Sequence, residues 1–299
     1  MTPGALRAVL SRLTPSPDKV EAYVGDTYVL ESVEHLSRLG IDPAAFSRRH
    51  SLLLLKPDAI VARAVEPTLE WLSANGFGVV AAYRVPVDRH LARALWYFAW
   101  NIASPERRRL ADLLVDISDA LVLVVSGADG ELPLPVRLTE AKGATDPRKR
   151  RPGELRHLLG LHNYLLNLVH SPDDPADVLR ELAIYFDEPT RAELLTGLGT
   201  DGDTHAEARR IAAELYAATP SGSFDRSSAL ARIARDLGVE EPSADEDCAR
   251  LLYSAWDAGA DLDPWSVIVL GSYVLPMRSG AQSQTLRPVA ANDWLEARP

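Results

Sequence analysis

Short apolar runs divided by helical spacing constrain the middle of this chain more than any other feature. "SLLLLKPDAI" is a run of strand length that breaks into a polar turn at Lys56-Pro57-Asp58, and "GVVAAYRVPV" and "ALVLVVSG" follow it. Between the first two, "RAVEPTLEWLSANGF" places Val65, Leu69 and Leu72 at helical intervals and stops at Gly76, a residue suited to a helix C-terminus. "RHLARALWYFAW" and "PERRRLADLLVDI" read as helices before the third run. A polar stretch, "VRLTEAKGATDPRKRRPGELRHLLG", reads as a long loop with short helical parts. "HNYLLNLVHS" then ends in a strand, and "PADVLRELAIYF" is a helix with proline near its start. The order contains βαββαβ, so the expected class is α+β: a ferredoxin-like antiparallel sheet covered by helices.

The flanks have a different texture. Residues 1–47 read as an N-terminal extension: "GALRAVLSRL" is helical, and "EAYVGDTYVLESVEHLSRLGIDP" reads as a short extended piece and then a helix. A packing arm or an oligomer contact would each account for it. Residues 48–187 hold the sheet pattern. Residues 188–299 read as a mostly helical C-terminal domain or extension, with Asp225 and Asp245 as candidate N-caps. "PWSVIVLGSYVLPMRSG" fits apolar helix or strand equally well.

Bulk properties narrow the function classes. The chain has 299 residues, 46% hydrophobic, with a formal charge of -10. It is therefore no general polyanion binder, and no nucleic-acid site stands out. A phosphate site would have to be a local basic pocket. The single cysteine, Cys248, permits no internal disulfide, which suits a reducing cytoplasmic setting. No uncharged run approaches membrane-span length, and the start lacks a signal-peptide pattern.

Candidate chemistry lies in three segments. Lys56 leaves a buried strand into a turn, where an ammonium can meet phosphate. In "GATDPRKRRPGELR", Thr145 offers a hydroxyl and Arg156 a planar fork of donors, while Arg148 to Arg151 read as a solvated basic run. In "NLVHSPDD", Asn167 precedes His170, and Glu181 lies on the following helix. A histidine at an apolar boundary is commonly structural. A neutral imidazole with one nitrogen held by an acceptor is also a competent phosphoryl nucleophile.

Taken together, "LLLLKPDAI", "GATDPRKRRPGELR" and "NLVHSPDD" resemble, in order and spacing, the nucleoside diphosphate kinase family over residues 50–187. The resemblance implies His170 as phosphohistidine nucleophile, oriented by Glu181. It implies Lys56, Thr145 and Arg156 on nucleotide phosphates, Asn167 on the sugar, and Tyr97 as an active-site tyrosine beside the lysine. Asp173 would stand in the turn after the nucleophile. The implied reaction moves the γ-phosphate of ATP to a nucleoside diphosphate. Mg2+ would be bound through the nucleotide phosphates, with no protein metal site. Two other readings are a specialised metabolite or protein acceptor, and a non-catalytic nucleotide-binding or assembly module. A homo-oligomer through this domain is a family property.

The departures are specific. Ala59 follows the "KPD" in place of glycine, Asp146 stands beside Thr145, and Pro172 sits two residues after His170. Thr139 occupies a position where the family has arginine, with Arg137 and Lys142 nearby. Trp100 is a candidate for the wall on which the family stacks its base.

Overall fold

The computed structural model describes residues 1–128, 130–160, 162–199 and 203–297. β1 (His50–Leu55), β2 (Gly78–Val85), β3 (Ala120–Ser126) and β4 (Val169–His170) form one sheet in the order β2-β3-β1-β4. All pairings are antiparallel, with Leu53 opposite Leu123 and Leu54 opposite His170. That is the ferredoxin-like arrangement. β1 reads as unbroken leucine because both faces of the sheet are covered. Successive side chains alternate, so Leu52 and Leu54 enter one apolar layer and Leu53 and Leu55 the other.

The N-terminal arm comprises α1 (Pro3–Leu10), α2 (Pro17–Val24), α3 (Thr27–Arg38) and α4 (Pro43–Arg49). α5 (Pro57–Val61) and α6 (Val65–Ala74) join β1 to β2. α7 (Arg89–Leu95), a 3-10 segment Tyr97–Ile102 and α8 (Pro105–Val115) join β2 to β3. α9 (Leu134–Lys142), a 3-10 turn Pro147–Lys149 and α10 (Leu155–Leu158) lead to β4. Beyond it come α11 (Pro175–Tyr185), α12 (Glu188–Gly197), α13 (Thr204–Ala218), α14 (Arg226–Leu237), α15 (Asp245–Asp257), α16 (Pro264–Val274) and α17 (Ala291–Glu296). Many starts share one local code. Thr2, Ser16, Asp42, Ser104, Asp174 and Asp263 each precede a proline, and each side chain accepts a bond from a first-turn backbone N–H.

Leu69 and Leu72 of α6 and Leu134 and Leu138 of α9 share a layer with Leu53 and Leu55, so the two crossover helices lie on one face. Ile211 and Leu215 of α13 extend that layer. On the opposite face, Val178, Leu179 and Leu182 of α11 pack with Leu52 and Leu54, joined by Val29, Val33 and Leu36 of α3 and Leu6 and Leu10 of α1. A third apolar cluster joins α14, α15 and α16 to Leu110 and Leu114 of α8. No helix among the described residues is long and apolar enough to cross a membrane.

Several local expectations change. The stretch expected to start extended at "EAYV" is the end of α2, because Ser16 caps it and Pro17 starts it. The stretch read as polar loop contains most of α9, whose Leu134, Val136 and Leu138 are buried by tertiary packing. Asp225 caps α14 as expected, but Asp245 lies in the first turn of α15, with Ala244 at the cap position. The ambiguous apolar run is α16. It is buried at Ser266 through Ser272, all round its axis, so no face shows as a period.

Candidate functional site

A cavity of about 680 Å³ opens beside the end of β1, and its lining includes Lys56, Thr145, Arg156, Asn167, His170 and Glu181. Asp173, given a place in the turn after His170, also lines it, and of the residues given a role by the resemblance only Tyr97 does not. Tyr97 is 64% exposed and packs edge-on against Phe98. It does not line the cavity. Its neighbour Trp96 does, with its ring edge-on to the His170 imidazole at a centroid separation of 5.6 Å. The helical spacing of "ALWYFAW" breaks there: α7 ends and the tighter 3-10 segment begins, which rotates Tyr97 outward.

His170 is placed by its pairing with Leu54, and its side chain is 20% exposed. Nε2 lies 2.9 Å from Oε1 of Glu181, and the Tyr185 hydroxyl donates to the other carboxylate oxygen at 3.3 Å. An ionised carboxylate only accepts, so Nε2 carries the hydrogen and Nδ1 keeps its lone pair. Among the described residues Nδ1 has no hydrogen-bond partner. Burial raises the Tyr185 pKa well above the ordinary tyrosine value and keeps the hydroxyl protonated as the donor.

The loop before β4 is held by Lys56 and Asp58. Leu168 has a φ of 63°, a left-handed conformation costly for a residue with Cβ. Its N–H donates to Asp58 Oδ2 at 3.0 Å, and its carbonyl accepts from the Lys56 N–H at 2.9 Å. Lys56 Nζ donates to the Leu165 carbonyl at 3.1 Å and lies 3.3 Å from Asp58. Burial lowers the Lys56 pKa, and Asp58 opposes the shift. Asn167 donates to the Tyr164 carbonyl at 2.9 Å.

Arg156 is 5% exposed and spans three segments. It donates to the Gly143 carbonyl at 2.9 Å, to the Thr145 hydroxyl at 3.1 Å and to the Val169 carbonyl at 2.6 Å. Burial pushes its pKa down to about 10. Gly143 has a φ of 88°, and a Cβ there would collide with the Glu154 side chain. The basic run is only partly solvated. Arg150 is 8% exposed and braces the loop by donating to the carbonyls of Ala144, Thr145 and Gly160. Asp146 pairs with Arg148 at 2.8 Å and does not line the cavity, so its charge is turned onto its own loop.

The turn after His170 has an unusual brace. Pro172 has no N–H to give, but its carbonyl accepts from the Thr139 hydroxyl at 2.8 Å. Thr139 Oγ1 also lies 2.9 Å from Ser171 Oγ, and Lys142 Nζ donates to Ser171 Oγ at 2.7 Å. Beyond this, Asp173, Asp174 and Asp177 are gathered around Lys19 of the N-terminal arm. Lys19 pairs with Asp174 at 3.0 Å and Asp177 at 2.8 Å, and the Tyr23 hydroxyl donates to Asp177. Burial raises Asp173, and it raises Asp174 to about 6 against the pull of Lys19. For Asp177 burial is outweighed by Lys19 and Tyr23, and its pKa is lowered.

Several lining residues had no local sequence signal. Lys19 and Tyr23 arrive from a segment read as a packing arm or oligomer contact. Arg107, inside a stretch read only as a helix, lies over the Tyr164 ring at 4.9 Å. Trp100, the candidate wall residue, does line the cavity. A C-terminal segment joins the lining: the Thr285 N–H donates to the Phe98 carbonyl and the Ala291 N–H to Glu140, and Leu286, Pro288 and Val289 between them line the cavity.

Residues 49–190 match the family model described as nucleoside diphosphate kinase. The nucleoside diphosphate kinase of Thermococcus kodakarensis is 27% identical over 162 residues, covering 54% of this chain and 89% of that protein. That of Bdellovibrio bacteriovorus is 30% identical over 135 residues, covering 45% of this chain and 90% of that one. That of a Nocardioides species is 34% identical over 136 residues, covering 46% and 95%. The solved nucleoside diphosphate kinase of Aquifex aeolicus aligns at 23% identity with a TM-score of 0.40, covering 46% of this chain and 95% of that one.

Proposed function

The chain belongs to the nucleoside diphosphate kinase family, whose chemistry is phosphoryl transfer between nucleotides, and from that premise we propose that it transfers the γ-phosphate of ATP to a nucleoside diphosphate through a phosphohistidine on His170. The observation that carries this reading is the bond from His170 Nε2 to Glu181. It fixes the tautomer and leaves Nδ1 as the nucleophilic nitrogen, in a cavity shared with Lys56 and Arg156.

In the first half-reaction the Nδ1 lone pair attacks the γ-phosphorus in line. The bond from that phosphorus to the β–γ bridging oxygen breaks, and the leaving diphosphate keeps the electron pair. The imidazolium that forms keeps its Nε2 hydrogen directed at Glu181, whose negative charge stabilises the new positive one. The second half-reaction reverses these events with a different diphosphate, so the kinetics are ping-pong. Lys56 and Arg156 neutralise phosphate charge, Thr145 positions it, and Asn167 reaches the sugar.

Among the described residues no three His, Cys, Asp or Glu side chains make a metal cage. Asp173 in the cavity lining would be available to a hydrated Mg2+ ion arriving on nucleotide phosphates. Bound there, Mg2+ would supply further charge neutralisation.

The test is incubation with γ-labelled ATP and Mg2+. Acid-labile, alkali-stable label in the protein, absent from His170→Ala, is expected, with discharge by several nucleoside diphosphates. Label that persists in His170→Ala would refute the assignment. Label that no diphosphate removes would redirect the acceptor to another metabolite or a protein.

A further inference from the structure

Lys142 stands out among the buried cations. It closes α9, is 4% exposed and lines the cavity. Lys19 has two carboxylate partners and Lys56 has Asp58. Among the described residues Lys142 has no carboxylate within ion-pair distance. Its Nζ donates to Ser171 Oγ at 2.7 Å, and more loosely to the Ser171 carbonyl at 3.4 Å and Thr139 Oγ1 at 3.5 Å. Ser171 follows His170 directly, so the Lys142 Nζ sits beside the nucleophile's own backbone. Arg156, in the same lining, likewise has only neutral acceptors, and its Nε has no partner. Two buried basic side chains with only neutral partners in one cavity form a site that an anionic ligand would complete.

We infer that Lys142 is a further phosphate-binding residue, placed beside Ser171 to contact the phosphoryl group transferred at His170. The inference rests on the phosphotransfer reading for the identity of the ligand.

The groups around Lys142 agree with a proton-linked role. Arg156 of α10 repels its charge. Asp173 of the turn and Asp177 and Glu181 of α11 favour it, but Asp177 is engaged by Lys19 and Glu181 by His170. Lys56 at the end of β1 and Glu140 on α9 itself line the same cavity. Arg48 of α4 is taken up on the Trp294 ring and Asp293 of α17 on Arg287. Burial, with Arg156 next, pushes the Lys142 pKa down to about 7. A phosphate dianion raises it again, so binding above that pH draws a proton from solvent.

The experiment is isothermal titration calorimetry at pH 8 in two buffers of different ionisation heat, with Mg2+ and the non-hydrolysable analogue AMP-PNP, and separately with inorganic tripolyphosphate. Wild type should take up close to one proton per ligand, roughly, as linkage requires. Lys142→Met should bind about tenfold more weakly, the effect of losing one charge-assisted hydrogen bond, and should lose the uptake. Lys142→Arg, always charged, should restore binding without uptake. A structural lysine would give equal proton uptake in all three proteins. Equal affinity and equal uptake in wild type and Lys142→Met overturn the inference, as does wild type binding neither ligand. Lys142-dependent tripolyphosphate binding without any phosphohistidine label would overturn the phosphotransfer reading alone.

Discussion

Replacing Lys19 with methionine keeps most of the side-chain volume and removes the charge that three aspartates share. Lys19 is 3% exposed and lies 3.0 Å from Asp174 and 2.8 Å from Asp177, both themselves buried. Truncating one partner of a buried ion pair typically costs about 3–5 kcal/mol, because the other charge is left in a poor solvent. The lower end applies here, at about 3 kcal/mol. Asp177 keeps the Tyr23 hydroxyl and Asp174 keeps the Asp177 N–H. The pH dependence follows from the shifts. Asp177 is lowered in the folded protein, so it adds stability above its unfolded pKa and loses it as pH falls through the folded value. Asp174 is raised to about 6, so it works in the opposite sense. Without Lys19 both carboxylates move upward, and protonation relieves the variant as pH falls. The gap between wild type and Lys19→Met is therefore widest above about pH 6 and narrows towards pH 4. Urea unfolding at pH 8 and at pH 5 measures it. A loss below about 1 kcal/mol at pH 8, or a gap independent of pH, would refute the reasoning.

The site gives further expectations. Glu181→Ala removes a charge-assisted hydrogen bond worth about 1.5–3 kcal/mol, so phosphorylation by labelled ATP should slow roughly ten- to hundredfold with the fold intact. Tyr97→Phe should leave that rate within about twofold of wild type, because an exposed residue outside the cavity sits in the range of neutral surface changes. Gly143→Ala should lower stability in urea by more than about 1 kcal/mol, since it combines a positive φ with a blocked Cβ position, and should weaken AMP-PNP binding by displacing Arg156.

The sheet was legible because its evidence is local: strand-length apolar runs, a helix ending at Gly76, and a proline near the start of the helix after β4. α9 was not, because its charged sequence hides a face that only the sheet defines. The same division runs through the site. Lys56, Thr145, Arg156, Asn167, His170 and Glu181 stand at spacings along the chain that carry the family resemblance, and the fold brings all six to one cavity. Tyr97 failed because a change from α to 3-10 geometry rotates side chains without any break in composition. Lys19 belongs to a different order of information. Its carboxylate partners lie more than 150 residues away, 155 for Asp174, and nothing near Lys19 in sequence announces them. The rebuilt turn at Pro172 is similar. The loss of an N–H is visible in the sequence, but its replacement by Thr139 and Lys142 is a tertiary matter.

The position of the phosphate on the imidazole decides the mechanism. Wild-type protein phosphorylated with ATP and Mg2+, then examined by 31P–1H correlated NMR with Glu181→Ala alongside, distinguishes the two ring nitrogens. Phosphate on Nδ1 of His170 is the expected result, because Glu181 holds Nε2 at 2.9 Å. Phosphate on Nε2, on another residue, or on no residue would contradict the proposed mechanism.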